Sequence, residues 1–357
     1  MSRSSMRTTT TSPGGWSMRE AGGRRVRIGV VGTGVIGQLM HLPILAERGD
    51  VELSAVADLD RAKAKTIAGR FGIPRVLDDD ALVADAEIGG VVICAPSFVH
   101  EDLATECLRA GKHVLVERPL ALSAGGVRHL LRVSEETGKG MVLGMSHRYQ
   151  PNVRALRSAI ADGTLGEISA VRVDWLNRAV RRPRTGWRRR ALESGGGALM
   201  DIGVPALDLA LWVLGYPAVE RVSAMTPGDG FDVEEEAHLH VITEGGVVLS
   251  MAASWRLHAP ADRHGLWVVG SEGGARLSPL TIFQQVGGRT VEVTPRQPIP
   301  RGGEDLFTNG YRRLLDKFVR VVAGTAAAEP PAEQITLMSL VEAAYDSARE
   351  GCETRVR

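Results

Sequence analysis

The chain is poor in several things, and each shortage removes a class of function. It has only 3 cysteines in 357 residues. Cys94, Cys107 and Cys352 are odd in number and lack CxxC spacing, so neither a disulfide framework nor a structural zinc site is indicated, and a reducing cytoplasm is expected. No HExxH or other clustered His and Cys pattern is present, so no metal is expected. Charge of one sign is also missing. The 43 basic residues face 42 acidic ones, which gives no electrostatic footprint for a nucleic-acid partner. No apolar run reads as long enough to cross a bilayer, so no membrane role is expected. The first 25 residues are rich in Ser, Thr, Gly and Arg and lack the apolar centre of a signal peptide, so they read as a disordered extension, with Met6 or Met18 as alternative starts.

What is present begins with an apolar strand at Val26 and the turn Gly32-Thr33-Gly34-Val35-Ile36-Gly37, followed by a helix-compatible stretch. In this strand, turn and helix each glycine has its own task. Gly32 allows the turn, Gly34 lets backbone N–H groups approach a pyrophosphate, and Gly37 lets the helix pack closely on the strand. A second apolar strand, Val51 to Ala57, ends at Asp58, at the distance expected of the acid that holds the adenosine ribose hydroxyls. The context points to dinucleotide binding. Asp58 favours NAD over NADP by repelling a 2'-phosphate, with Arg61 close enough in sequence to blunt the repulsion.

Strand and helix alternate as far as about residue 147, the pattern of a parallel sheet covered on both faces. Ala95, Pro96, Ser97 and His100 follow the strand Gly90 to Cys94, where the C-terminal strand ends of such a sheet meet their ligand. His100 is either a catalytic group or a histidine hydrogen-bonded near a helix start. Glu117 and Arg118 end the next strand and join the cofactor set.

From residue 148 the pattern changes. Segments with period-two alternation cluster without helices between them, around 168–175, 237–242, 247–255 and 265–270, and predict an open, mainly antiparallel sheet in a second α/β domain spanning 148–357. The segment 177–190 carries seven arginines, which either grip an anion through bidentate hydrogen bonds or form an exposed loop or subunit contact. Glu234, Glu235 and Glu236 read as a solvated strand entrance. Gly195 to Gly197 permit close backbone approach, and Asp201, Pro205 and Asp208 are spaced to share one helix face. Two C-terminal helices, from Asn309 and from Ile335, read as braces across the domains, with Phe318 and Tyr345 in the core.

The order GTGVIG, Ala57-Asp58, APSFVH, VERPLA, HRYQP, GGGALMDIGVPALDLALWVLG and SLVEAAYDSAREG resembles the Gfo/Idh/MocA family of glucose-fructose oxidoreductase, inositol dehydrogenase and relatives. The resemblance implies an N-terminal Rossmann domain over 26–147, a C-terminal domain whose sheet forms a homodimer or homotetramer interface, and hydride transfer with NAD or NADP on sugars or cyclitols. It also exposes two departures. Glu117-Arg118-Pro119 stands where the family usually has Glu-Lys-Pro, and Asp201-Ile-Gly-Val-Pro205 where it usually has Asp-x-Gly-x-His. The family's lysine sits beside the reacting carbon and its histidine moves the hydroxyl proton. Arginine is a poor general base and proline offers no group at all, although Pro205 suits the first turn of a helix. The catalytic candidates are therefore Asp201, Arg118 and Tyr149. The substrate set is Arg118, His147, Tyr149, Trp187, Asp201 and Asp208. Three readings are open: an oxidoreductase with altered proton chemistry on a sugar-like substrate, anionic and nucleotide-linked ones included; redox-neutral NAD-assisted catalysis; or a non-catalytic cofactor-bound sensor.

Overall fold

The computed structural model describes residues 25–181, 185–227, 231–298 and 300–356. The N-terminal extension, up to residue 24, and Arg182 and Arg184 of the arginine-rich segment lie outside the described residues.

The first sheet has six parallel strands, β1 (Val26–Val31), β2 (Val51–Ala57), β3 (Val76–Leu77), β4 (Gly90–Ile93), β5 (His113–Val116) and β6 (Met141–Leu143), in the order β3-β2-β1-β4-β5-β6. Its central strands are continuous apolar runs because helices cover both faces; all four residues of β4 are buried. The connecting helices are α1 (Leu42–Ala46), α2 (Arg61–Phe71), α3 (Asp79–Ala84), α4 (His100–Arg109) and α5 (Ala124–Thr137). Asp60, Asp78 and Ser123 cap α2, α3 and α5 by accepting from backbone N–H groups of the first turn. Gly72 ends α2 at φ 65, the left-handed stop expected of it.

The second sheet has nine strands: β7 (Ile168–Arg178), β8 (Val219–Met225), β9 (Glu236–Thr243), β10 (Val248–Leu257), β11 (Arg263–Gly270), β12 (Gly273–Leu277), β13 (Thr281–Val286), β14 (Arg289–Glu292) and β15 (Thr354–Arg355). Their order is β14-β13-β12-β11-β7-β10-β9-β8-β15, with β7 and β10 parallel and every other pair antiparallel. Alternation along β9, buried at Ala237, Leu239 and Val241 and exposed at His238 and His240, marks one packed face and one open face. The helices of this part are α6 (Pro151–Ala161), α7 (Ala191–Ser194), α8 (Val204–Val213), α9 (Leu306–Val322) and α10 (Gln334–Glu350).

The brace expected of α9 takes a particular form. Tyr311, Leu314, Leu315 and Phe318 join one core with Ile28, Val30 and Val92, so α9 crosses back to cover the first sheet. Gly90 leaves room for it, since a Cβ there would lie 2.6 Å from Val322.

Two expectations need correction. The stretch Ala191–Val213, 23 residues of mean hydropathy 1.4, is long and apolar enough to cross a membrane, but its apolar window is 89% buried inside the protein, so it is a core segment that ends in α8. Nor are Glu234 to Glu236 solvated. Glu234 accepts from the N–H groups of Gly197 (2.9 Å) and Leu199 (2.9 Å) and from the Tyr345 hydroxyl (3.1 Å), Glu235 is buried against Arg189 at 2.7 Å, and Glu236 accepts from Ser254.

Candidate active site

A cavity of about 610 Å³ runs along the C-terminal ends of the first sheet and reaches the second domain. At one end lie Gly32, Gly34, Val35, Ile36, Asp58, Lys63 and the loop Ala95 to Val99. At the other are Glu117, Arg118, His147, Trp187, Arg188, Met200, Asp201, Phe307 and Tyr311.

The glycine turn divides its work as its sequence predicts. Gly32 has φ 92, and a Cβ there would strike the Cys94 backbone at 2.6 Å. A Cβ on Gly37 would lie 2.8 Å from the Gly32 carbonyl. At Gly34 a Cβ would meet no protein atom within 4 Å, although the residue lines the cavity. The open side of Gly34, at the start of a helix, is a cradle fitted to a pyrophosphate.

Asp58 accepts from the Thr33 N–H and hydroxyl, both at 2.7 Å, and from the Asp60 N–H at 2.9 Å. Lys63 Nζ lies 2.9 Å from its carboxylate. Burial alone would raise the carboxyl, but Lys63, Thr33 and Asp60 outweigh it and hold the Asp58 pKa below the usual value. The cation at Asp58 is therefore Lys63, while Arg61 is exposed. Thr33 is fully buried beneath Asp58 and braces it without reaching the cavity.

His100 does not reach the cavity either. It is buried, with ring nitrogens 2.7 Å from the Pro119 carbonyl and 3.0 Å from that of Ala95. It ties together two loops that do line the cavity. Glu117 is buried with the His41 ring nitrogen 2.8 Å away; burial raises its carboxyl, and His41, Arg118 and Tyr311 together more than reverse that.

Asp201 rides on a π turn, Leu199–Gly203, that runs directly into α8. The Val204 N–H reaches back five residues to the Leu199 carbonyl. This wide turn inserts about one residue, which rotates the start of α8 by roughly 100° relative to a continuous α-helix. Asp201 and Asp208 consequently do not share a face. Asp201 lines the cavity, with Arg188 Nε 3.1 Å from its carboxylate. Asp208 is turned into the core, where Arg148 (2.8 Å), Tyr216 (2.5 Å) and Gln334 (2.9 Å) occupy its oxygens. It is a structural acid and not a substrate ligand.

Tyr149 also leaves the site. It lies on the 3₁₀ turn Ser146–Tyr149, where two residues span about two-thirds of a revolution. His147 therefore faces the main cavity, while Tyr149 lines a separate cavity of about 310 Å³ with Arg148, Trp212 and Lys317. His147 packs edge-on to Trp175 and Phe307, with ring centroids 4.9 and 5.8 Å away. Burial first, and the Arg118 charge second, push its pKa down to about 4, so the ring is neutral near pH 7. Trp187 lines the cavity with Arg188 stacked 4.3 Å over its ring.

The glycine run serves this end from behind. A Cβ on Gly197 would lie 1.8 Å from the Glu234 carbonyl and one on Gly196 1.9 Å from the Tyr345 hydroxyl. The described arginines of 177–190 are all committed: Arg178 and Arg181 to Asp262, Arg188 to Asp201, Arg189 to Glu235 and Arg190 to Glu193. Residues that sequence reasoning passed over are Lys63, Met200, Phe307 and Tyr311. Tyr311 arrives on α9 with Phe307, more than a hundred residues beyond Glu117, His147 and Asp201 of the same cavity, and no local pattern could place it.

Sequence models place this geometry among known proteins. Residues 26–145 match the oxidoreductase family with an NAD-binding Rossmann fold, and residues 153–276 match the GFO/IDH/MocA C-terminal domain. The chain belongs to the GFO/IDH/MocA family. It is 30% identical to an inositol 2-dehydrogenase of Rhizobium meliloti, covering 91% of this chain and 97% of that one. Identity to the D-glucoside 3-dehydrogenase of Escherichia coli is 28%, over 93% and 97% of the two chains. A crystal structure of GenD2 from gentamicin A biosynthesis, in complex with NAD, superposes with TM-score 0.81 at 28% identity, covering 98% of this chain and 100% of that one. This GFO/IDH/MocA protein is thus an NAD-dependent oxidoreductase acting on CH–OH groups, and the sensor reading falls away.

Proposed function

We propose that the enzyme oxidises a ring hydroxyl of a neutral sugar, glycoside or cyclitol, with Asp201 accepting the hydroxyl proton. The observation that carries this reading is the single cavity in which the glycine cradle and Asp58 open onto Arg118, His147 and Asp201. NAD, held by the cradle, supplies the hydride acceptor. Asp201 offers a carboxylate at the cavity wall, with Arg188 beside it. Neutral His147 orients a substrate hydroxyl as a hydrogen-bond partner. The fixed charge of Arg118 suits oxygen on which negative charge develops as the proton leaves. Proton handling of this kind contributes about 10²- to 10⁴-fold.

A neutral polyol is favoured over an anionic substrate because each described arginine of 177–190 already has a carboxylate partner, which leaves none of them to bind phosphate at no cost in ion pairing. The names of two relatives, a glucoside dehydrogenase and an inositol dehydrogenase, support the same class. A third, 31% identical, is a putative UDP-kanosamine synthase oxidoreductase subunit of Amycolatopsis mediterranei and supports the nucleotide-sugar alternative. Screening glucosides, inositols and nucleotide sugars for NADH formation tests the reading. Rapid turnover of a nucleotide sugar with none of a neutral glycoside or inositol would overturn it, and conversion without net NADH would replace it with a redox-neutral reaction.

The open face of the nine-stranded sheet supports a homo-oligomer. By strand register Val248, Val269 and Phe283 lie in one row across that face, at 36%, 54% and 41% exposure, an apolar strip of the sort that marks an interface. Val269→Arg should yield monomers by light scattering; an unchanged mass would place the interface elsewhere. The three cysteines are unpaired, in keeping with the cytoplasm proposed for it.

A further inference from the structure

The backbone carbonyl of Asp201 has an unusual partner. In an α-helix its donor would be the N–H four residues later, and that residue is Pro205, which has none. The N–H of Val204 is spent on Leu199 through the π turn. Arg118 Nη1 donates to the Asp201 carbonyl. Arg118 belongs to the first domain, 83 residues earlier, and its neighbours Glu117 and Pro119 line the cofactor cavity. The bond is charge-assisted, the stronger class of hydrogen bond.

We propose that Arg118 and Pro205 are a matched pair. The proline withholds the helical donor from the Asp201 carbonyl, and the arginine supplies one across the domain boundary. That bond fixes the Glu117 to Pro119 loop against the turn that carries Asp201. Arg118 is in this respect a positioning residue, with one arm of its guanidinium committed to the backbone. The two positions are physically dependent, although they look like separate departures in the sequence. The inference rests on NAD binding and not on the choice of substrate, so a failed substrate screen leaves it untouched.

The test is a double-mutant cycle on NADH affinity, read by fluorescence titration, with Arg118→Met, Pro205→Ala and the double variant. With Pro205 present, Arg118→Met should weaken NADH binding about tenfold, within the range of coupled neighbours. In the Pro205→Ala background the N–H gained at position 205 can serve the carbonyl, and the same change should cost less than about twofold. Arg118→Lys keeps a cationic donor and should recover most of the loss. A packing role would cost the same in both backgrounds, so equal losses, or none in either, would overturn the pairing. A crystal structure of the Pro205→Ala variant asks the question without depending on stability. A backbone N–H at position 205 within hydrogen-bond distance of the Asp201 carbonyl supports the pair, whereas an unaltered π turn still served by Arg118 refutes it.

Discussion

Two aspartates mark the ends of the cavity, and different kinds of structure hold them. Asp58 is gripped by Thr33, Asp60 and Lys63, all within 25 residues of it in the chain. Asp201 is held at its carbonyl by Arg118 from the other domain and at its carboxylate by Arg188 from a loop, on a turn anchored by Glu234. One end is a local motif, and the other is an assembly of distant segments. Substitutions at the first should therefore change cofactor binding alone, and those at the second should change turnover or the fold, except at Arg118, which joins the cofactor loop to the Asp201 turn and should affect NADH binding as well.

The largest effect is expected at Asp201. Asp201→Asn keeps the shape and removes the proton acceptor, so turnover should fall about 10²- to 10⁴-fold, with NADH affinity within about twofold of the wild type because the change leaves the backbone carbonyl that Arg118 holds in place. Near-native turnover would dismiss Asp201 and leave His147 as the acceptor.

The same glycine-to-alanine change should separate the two ends. At Gly34 the new Cβ meets no protein atom but occupies the cradle, so the urea midpoint should hold while NADH affinity drops roughly ten- to a hundredfold, the effect of overfilling a close contact. At Gly197 the Cβ would overlap the Glu234 carbonyl at 1.8 Å, and stability should fall by about 1–3 kcal/mol or more. A Gly34→Ala protein that binds NADH normally would place the pyrophosphate elsewhere.

This division also explains what could be read from the chain. The glycine turn, Asp58 and the alternation of strand and helix are set by neighbours in sequence, and period and spacing carry that information. The π turn at Leu199–Gly203 leaves no such trace: the spacing of Asp201 and Asp208 suits one helical face, and only the inserted residue sends Asp208 into the core against Arg148. Tyr149 misleads for a similar reason, since a 3₁₀ turn separates it from His147. The described arginines of 177–190 resemble an anion trap until the carboxylates that meet them, Asp262 between β10 and β11, Glu235 before β9, Asp201 and Glu193, are in place. Tyr311 depends on α9 folding back over the first sheet, a long-range event with no local signal.

A smaller effect is expected with pH. His147 has its pKa lowered from 6.5 to about 4, so the unfolded chain takes up a proton there before the native protein does. The stability associated with the neutral ring is complete above about pH 6.5 and is lost as pH falls toward 4. Wild type should consequently lose more of its urea midpoint between pH 7 and pH 4 than His147→Gln does. Equal losses would mean that the ring is solvated and titrates normally, which would withdraw its assignment as a neutral hydrogen-bond partner.

The smallest effect concerns cofactor choice and returns to the local end. Asp58 repels a 2'-phosphate, but Lys63 at 2.9 Å offsets much of its charge. Lys63→Ala removes that offset while leaving the Thr33 and Asp60 hydrogen bonds to the carboxylate in place. NADH needs only an acceptor for its ribose hydroxyls, so its affinity should hold or rise slightly, whereas NADPH affinity should fall several-fold, the size expected of one partly exposed charge pair at about 0.2–1 kcal/mol. Fluorescence titration with both dinucleotides measures the ratio. If Lys63→Ala weakens both equally, Lys63 supports the turn rather than tuning its charge, and discrimination rests on Asp58 alone.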